Sequence, residues 1–497
     1  MRGVSLATCA AFLFPVLIAL LFAFAGCSNP AGGTDDDLLG ETEDEPDWRV
    51  PDDFATIQEA INAASAGETI LVAAGTYDGD ISLKNGVVLR GEDRDSTIID
   101  GGGTVVWSVG NDAATVIDGF TITNGRGMSG GMHTRYGSRV TVKNCTFVEN
   151  AGDGGGGMGN FGSSPVIEDC VFRLNTVSET DYNGGGMYND NSSPTVIGCV
   201  FELNVAGDTE NSGKGGGMYN RNSPDVVIHG CIFRYNQAGL NGGCAIHNEN
   251  STVTVADSFF YGNGSDIFDN PTAAGGVFNG SGSVCELTNC VFVGNAANAA
   301  PGAVGLYNEG GASSTLYNCT FCNNEGVYGI VGSAGSTTLY NCIVRGNNFN
   351  DKIITTTDYV TISYSNIEGG YAGEGNIDAP ASFVRYPESG GDPAQSEYWY
   401  NTDRTGHDFG DLRLSSASSP CVDAGSNSHA PPSTATDIEG SPRIIDGDED
   451  GGAIIDMGAY EYRDWAEDFA RTAWREDSRL RGMVFLTLTV FTGFLRP

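Results

Sequence analysis

The sequence predicts an all-β fold of one kind, a parallel β-helix solenoid with three short strands to a coil. Three observations carry that reading. A Cys-x-Phe-x-x-Asn unit recurs as Cys145/Phe147/Asn150, Cys170/Phe172/Asn175, Cys199/Phe201/Asn204, Cys231/Phe233/Asn236, Cys290/Phe292/Asn295 and Cys319/Phe321/Asn324. Ser258/Phe260/Asn263 and Cys342/Val344/Asn347 are degenerate copies, and the interval runs from 23 residues (Cys319 to Cys342) to 32 (Cys199 to Cys231). Such a period belongs to solenoids. Directly before the Cys position stand Asn144, Asp169, Gly198, Gly230, Asp257, Asn289, Asn318 and Asn341, residue types that adopt the left-handed backbone region at least cost. Between copies lies Gly-Gly-Met-Tyr-Asn (Gly185 to Asn189, Gly216 to Asn220) or a variant of it.

Each coil divides accordingly. Apolar or small residues three and five before the Cys, such as Val142/Val140, Ile228/Val226 and Leu287/Cys285, alternate with period two and predict a first strand. The corner residue follows, and the Cys and Phe, two apart, form a second strand. A second corner is expected at the Asn five residues after the Cys. The Gly-Gly-Met-Tyr-Asn stretch is the third strand, echoed at Gly156 to Asn160, Ala245 to Asn248, Gly276 to Asn279 and Gly305 to Asn308. Between the Asn and the Gly-Gly the length varies freely, which places one variable loop per coil.

This pattern resembles the right-handed parallel β-helix of the pectate-lyase-like superfamily, and its Gly-Gly-apolar and Phe-x-x-Asn elements are similar to the repeats of polymorphic outer-membrane proteins. Val50 to Ile61 resembles the short amphipathic helix that caps the first coil, with Ile57, Ala60, Ile61 and Ala64 at helical spacing. A cap is needed because an open solenoid end exposes strand edges. The resemblance covers roughly residues 50 to 460, with the β-helix itself expected over 49–414. Ser419 to Gly425, Asp437 to Asp446 and Ile455 to Tyr462 resemble the choice-of-anchor Q domain, expected over 415–462. The tail 463–497 matches no known sorting signal, and its apolar stretch, Met483 to Leu495, is too short to span a bilayer.

The N-terminus supplies an address. Arg2, an apolar run from Phe12 to Phe24, and Ala25-Gly26-Cys27 read as a secretory signal over 1–27 closed by a lipobox-like site, with Phe24 where Leu is commoner. Cys27 would carry the lipid of a bacterial lipoprotein, on the cell surface or outer membrane. The other reading, an uncleaved anchor, meets a run short for a span of ~20 residues, and both readings export the body. The segment 28–48 is an acidic linker with few apolar groups, expected to stay extended.

Sixty-three acidic against 25 basic residues give a net charge of −38, which repels phosphate backbones and argues against nucleic acid. Of 13 Cys, Cys9 and Cys27 fall in the export signal. Stacked Cys on successive coils would have parallel Cβ vectors, poor geometry for bridging, so a small apolar core ladder is expected rather than disulfides.

Chemistry is harder to read. In the third strand Met187, Met218, Ile246, Val277 and Leu306 should face inward, so Tyr188, Tyr219, His247, Phe278 and Tyr307 form an outward aromatic stripe. Flat rings suit sugars, which points to binding of extracellular polysaccharide or another cell-surface ligand; the competing reading is that the rings stack on one another or lie beneath the loops. The alternative function, polysaccharide lyase or glycoside hydrolase, rests on the resemblance, which implies Asp ligands for Ca²⁺ on successive coils with an Arg or Lys base, or an Asp cluster. Asp153, Asp181 and Asp208 shift relative to the strands and form no such row, and the five His form no triad spacing. Arg173, Glu202 and Arg234 share one outward position and predict a charge ladder. Asp446, Asp448 and Asp450 before Gly451 resemble the first half of a calcium loop, with Asp456 one short of the twelfth place; a plain acidic turn is the other reading. Val171, Val200, Ile232, Phe259, Val291 and Ile343, with Thr146 and Thr320, form an outward apolar strip that the tail or a partner is expected to cover.

Overall fold

Fixed left-handed corners and period-two strands build a right-handed parallel β-helix. The computed structural model describes residues 45–177, 183–207, 213–239, 242–264, 274–297, 304–326, 331–349, 359–387, 409–431 and 435–463. The chain divides between Glu45 and Pro46, and the architecture below is that of Pro46–Pro497. The expected signal, Cys27 and nearly all of the acidic linker lie outside the described residues, as do Asp181, Asp208 and the tail from residue 464.

Three parallel sheets of 13, 12 and 10 strands run the length of the solenoid. The first extends from Trp48–Val50 to Val360–Ser363, the second from Gly75–Asp78 to Asn366–Ile367, the third from Ile81–Ser82 to Val331–Ser333. Register is in step with the sequence repeat: Phe147 pairs with Phe172, Phe172 with Phe201, and Met158 with Met187. Phe147 and Phe172 stack at 4.7 Å with planes 2° apart, and the series continues unbroken to Phe321. A helix, Ile57–Ala63, closes the first coil through buried Ile57, Ala60 and Ile61. Thr56 and Glu59 form its capping box, and Lys84 donates to the carbonyls of Asn62 and Ala64 at its other end.

All eight residues before the Cys position take positive φ, from 48° at Asn144 to 63° at Gly230. The second corner differs from expectation: the left-handed residue is the one before the Asn, and it is Glu149, Leu174, Leu203 or Tyr235 in four coils. The Asn is instead a buried ladder. Asn204 Nδ2 donates to Phe172 O at 2.8 Å and to Asn236 Oδ1 at 3.0 Å, while its Oδ1 accepts from Asn175 N at 3.1 Å. With a further bond from Asn175 Nδ2 at 3.0 Å, four hydrogen bonds to one amide hold a corner that costs a non-glycine residue roughly 1–2 kcal/mol.

The cysteines among the described residues are buried free thiols. They do more than fill space, because the Cys170 N–H donates to Cys199 Sγ at 3.4 Å and the Cys199 thiol to Ile197 O at 3.3 Å. Ser258 makes the same two bonds as acceptor from Cys231 N and donor to Ala256 O. The position therefore selects a short side chain that both donates and accepts.

Beyond Ile367 the paired strands among the described residues are antiparallel, save for a single parallel bridge from Asn366 to Ile377. Phe383–Arg385 and Asp411–Leu414 pair antiparallel, and so do Ile444–Ile445 and Ile454–Ile455. These segments pack on the second sheet, where Val291, Val293, Cys322 and Ile343 join Phe383, Leu414, Cys421, Met457 and Ala459 in one buried cluster. The outward strip is thus covered over its C-terminal half by the closing segment, and the tail expected to cover it lies outside the described residues. Thr320 and Val291 are buried there, whereas Val171, Val200 and Ile232 are half-buried beyond its reach. The charge ladder forms as expected: Glu202 lies 3.3 Å from Arg173 Nε and accepts from Arg234 Nε at 2.6 Å.

Candidate functional site

The aromatic stripe exists but faces no solvent along most of its length. Tyr188, Tyr219, His247 and Phe278 are 6%, 2%, 1% and 4% exposed, and only Tyr307 is half-buried. Successive rings stack at 4.4 to 5.4 Å. The chain that precedes each strand folds back over them: Gly243 N donates to His247 Nδ1 at 3.1 Å, and a Cβ on Gly184 would lie 2.9 Å from Tyr188 Cα. Met187 and its equivalents face the core as expected, so the side chains do alternate; the error concerns what lies above the outward set. The same burial pushes the Tyr188 phenol up to about 12 and holds His247 well below the usual imidazole range.

The row begins earlier than the Cys repeats. Gly130-Gly131-Met132-His133 is a further Gly-Gly-Met copy, and the register places His133 beside Trp107 and opposite Gly159. Gly159 has no ring, and Phe161, two residues on, folds over it to stack on His133 at 4.8 Å and Tyr188 at 5.4 Å. His133 is buried, takes a hydrogen bond contact from Ser129 Oγ at 3.0 Å, and is lowered to about 4 by burial and then by Arg135. It remains neutral at ordinary pH.

At this N-terminal end the row opens. Trp107 and Phe161 are half-buried, and Arg135 stands on Trp107 with its guanidinium carbon 5.3 Å from the ring centroid. The Tyr136 ring lies 5.1 Å from the same carbon. Tyr136 is 75% exposed, and Val109, in register with Arg135, is 45% exposed. Trp107, Val109, Arg135 and Tyr136 therefore form an open aromatic and apolar surface around one cation. Sequence reading missed it because these coils precede Cys145; the Gly130-Gly131-Met132-His133 copy was the signal that could have found it.

Farther along the same sheet the charges engage one another. Arg221 pairs with Asp190 through Nε at 3.1 Å and Nη2 at 2.5 Å and covers Tyr188, while Glu249 accepts from the Tyr219 hydroxyl and lies 3.6 Å from Lys214. The Tyr219 phenol is held far above its ordinary pKa by burial and then by Glu249, which makes it a poor base.

The expected calcium residues divide. Asp446 and Asp448 come together with Asp423, their ligand oxygens all within 4.8 Å of one another. Asp450 turns away to accept from Gly452 N at 2.9 Å. Asp456 is buried, and its two oxygens accept from Asp423 N at 2.7 Å and Tyr462 N at 2.6 Å. It is a structural acceptor, and the carboxylate beside Asp446 and Asp448 is that of Asp423. Burial pushes the Asp423 carboxyl up against the pull of the Asp448, Ile454 and Gly447 N–H groups.

Comparison with known proteins agrees with the fold. Residues 80–215 match the family described as "Right handed beta helix region". A search of curated protein sequences gives no match. Among solved structures the chain is similar to pectate lyase Pel9A, at 17% identity and TM-score 0.45 over 82% of this chain and 91% of that one. It is also similar to the A-module of the Azotobacter vinelandii mannuronan C-5 epimerase AlgE4, at 15% identity and TM-score 0.36 over 64% and 100%, and to pectin methylesterase from carrot, at 12% identity and TM-score 0.28 over 66% and 90%.

Proposed function

We propose that this chain is a binding β-helix that holds an extracellular polysaccharide against the open end of its aromatic row. The observation that carries the reading is the surface formed by Trp107, Val109, Arg135 and Tyr136, where exposed rings and apolar groups meet on a rigid sheet. Aromatic faces stack on sugar rings, and a site on strands is held more firmly than one on loops. The stripe from Tyr188 to Phe278 is the support of that surface, stacked under the loops. An exported lipoprotein held at Cys27 would present the solenoid outside the cell, and Ca²⁺ held by Asp423, Asp446 and Asp448 would tie the closing segment to itself.

The alternative, a polysaccharide lyase or hydrolase, needs an accessible base beside ligand-binding carboxylates. Its best support is the group Lys214, Glu249, Arg221 and Asp190, whose charges are engaged with one another. Retention of the full chain in gels containing neutral and acidic polysaccharides tests binding, and a reducing-end and unsaturated-product assay on the same polymers tests turnover. Retention without product supports the binding reading; product from any polymer overturns it.

A further inference from the structure

Most cations among the described residues are engaged. Arg221, Arg345 and Arg413 each donate to a carboxylate at 2.5 to 2.8 Å, and Arg443 is buried against Glu461. Arg135 is different. Among the described residues its side chain has no hydrogen-bond acceptor, and its Nε is a buried atom without a partner. What holds it is aromatic: Trp107 and Tyr136 lie 5.3 and 5.1 Å from the guanidinium carbon. Stacking fixes the plane of a guanidinium and leaves its N–H edge directed away from the rings, the geometry that receives a planar anion through two parallel bonds.

Arg126 and Arg139, the other arginines with neither an ion pair nor a side-chain acceptor among the described residues, flank the same strand in sequence. In a protein of net charge −38, three unengaged arginines within fourteen positions make a local exception to a field that otherwise repels anions. We propose that Arg135 recognises the acidic substituent, carboxylate or sulfate, of a sugar whose ring lies against Trp107 and Tyr136. This rests on the binding reading above and narrows it to acidic glycans.

The test uses the full chain in affinity gels that contain a polyuronate, its methyl ester, dextran or dextran sulfate. Retention by the polyuronate should exceed that by its methyl ester at least tenfold, and should fall with added salt as charge screening requires. Arg135→Met should remove the difference while leaving the melting temperature unchanged, and Arg135→Lys, which keeps charge but loses the planar fork, should remove most of it. Retention by dextran sulfate over dextran would name sulfate as the anion. Equal retention by acid and ester, with no preference for dextran sulfate over dextran, overturns the acidic class while the binding reading stands. A failure of all four polymers to retain the chain overturns both. Should Arg135→Met not fold, an unchanged preference in Arg135→Lys decides against the proposal.

Discussion

Arg443 of the closing segment donates through Nη2 to Asn289 Oδ1 at 2.6 Å, joining residues 154 positions apart. Asn289 is a left-handed corner of the β-helix, and its own Nδ2 donates to Thr436 O. The next two corners behave alike: Asn318 donates to Asp456 O, and Asn341 accepts from Ser426 N at 2.8 Å. Corner residues chosen for their backbone conformation thus also grip the segment that covers the apolar strip. Arg443 completes the joint with bonds to Gly458 O and Glu461.

Arg443→Ala should destabilise the chain by about 1–3 kcal/mol, because Asn289 Oδ1, Gly458 O and Glu461 lose their buried donor. Asn289→Gly keeps the corner but removes the side-chain bonds to Arg443, Thr436 and Asp257, and should cost about 1–3 kcal/mol. Chemical denaturation followed by tyrosine and tryptophan fluorescence, with a hydrophobic dye to report uncovered Val291 and Ile343, measures both.

Alkaline pH should weaken the same joint. Burial raises Asp456 to about 7, and raises Glu461 to about 9 with Arg443 opposing. Both folded values lie above ordinary carboxylate values, so between those and the folded values the native state binds more protons, and stability falls as pH rises. The slope is at most about 1.4 kcal/mol per pH unit for each group. Unfolding free energies from pH 5 to 9 check the sign, and Asp456→Asn should flatten the lower part of the curve.

The Cys position should accept Ser and reject Val. Cys199→Ser reproduces the bonds seen at Ser258, and its cost should stay within about 1 kcal/mol; Cys199→Val strands the Cys170 N–H and should cost about 1–3 kcal/mol. Melting temperatures of the two variants compare them directly.

Ca²⁺ added to the full chain should bind, and Asp423→Ala or Asp448→Ala should abolish the calorimetric signal, while Asp450→Ala should leave it. A flat titration of the folded wild-type chain would end the calcium reading.

The fold was legible because its rules are local: a left-handed corner selects Gly, Asn or Asp, and strand parity assigns each side chain a face. The position of the second corner was not, since Leu174 and Leu203 carry no left-handed preference and are held there by the Asn ladder beside them. Parity gave the direction of Tyr188 and Tyr219 correctly but not their burial, to which the Gly184 and Gly215 segments folding back over each strand contribute. Asp423 was missed as a partner of Asp446 and Asp448 because it lies 23 positions before Asp446, and only the folded closing segment brings them together.

The most direct test of the account compares two pairs of substitutions in the full chain by polysaccharide affinity electrophoresis. Trp107→Ala with Tyr136→Ala should abolish retention and leave the fold intact, whereas Tyr188→Phe with Tyr219→Phe, beneath the loops, should leave retention unchanged. Retention that survives the first pair and is lost with the second would contradict the placement of the binding surface.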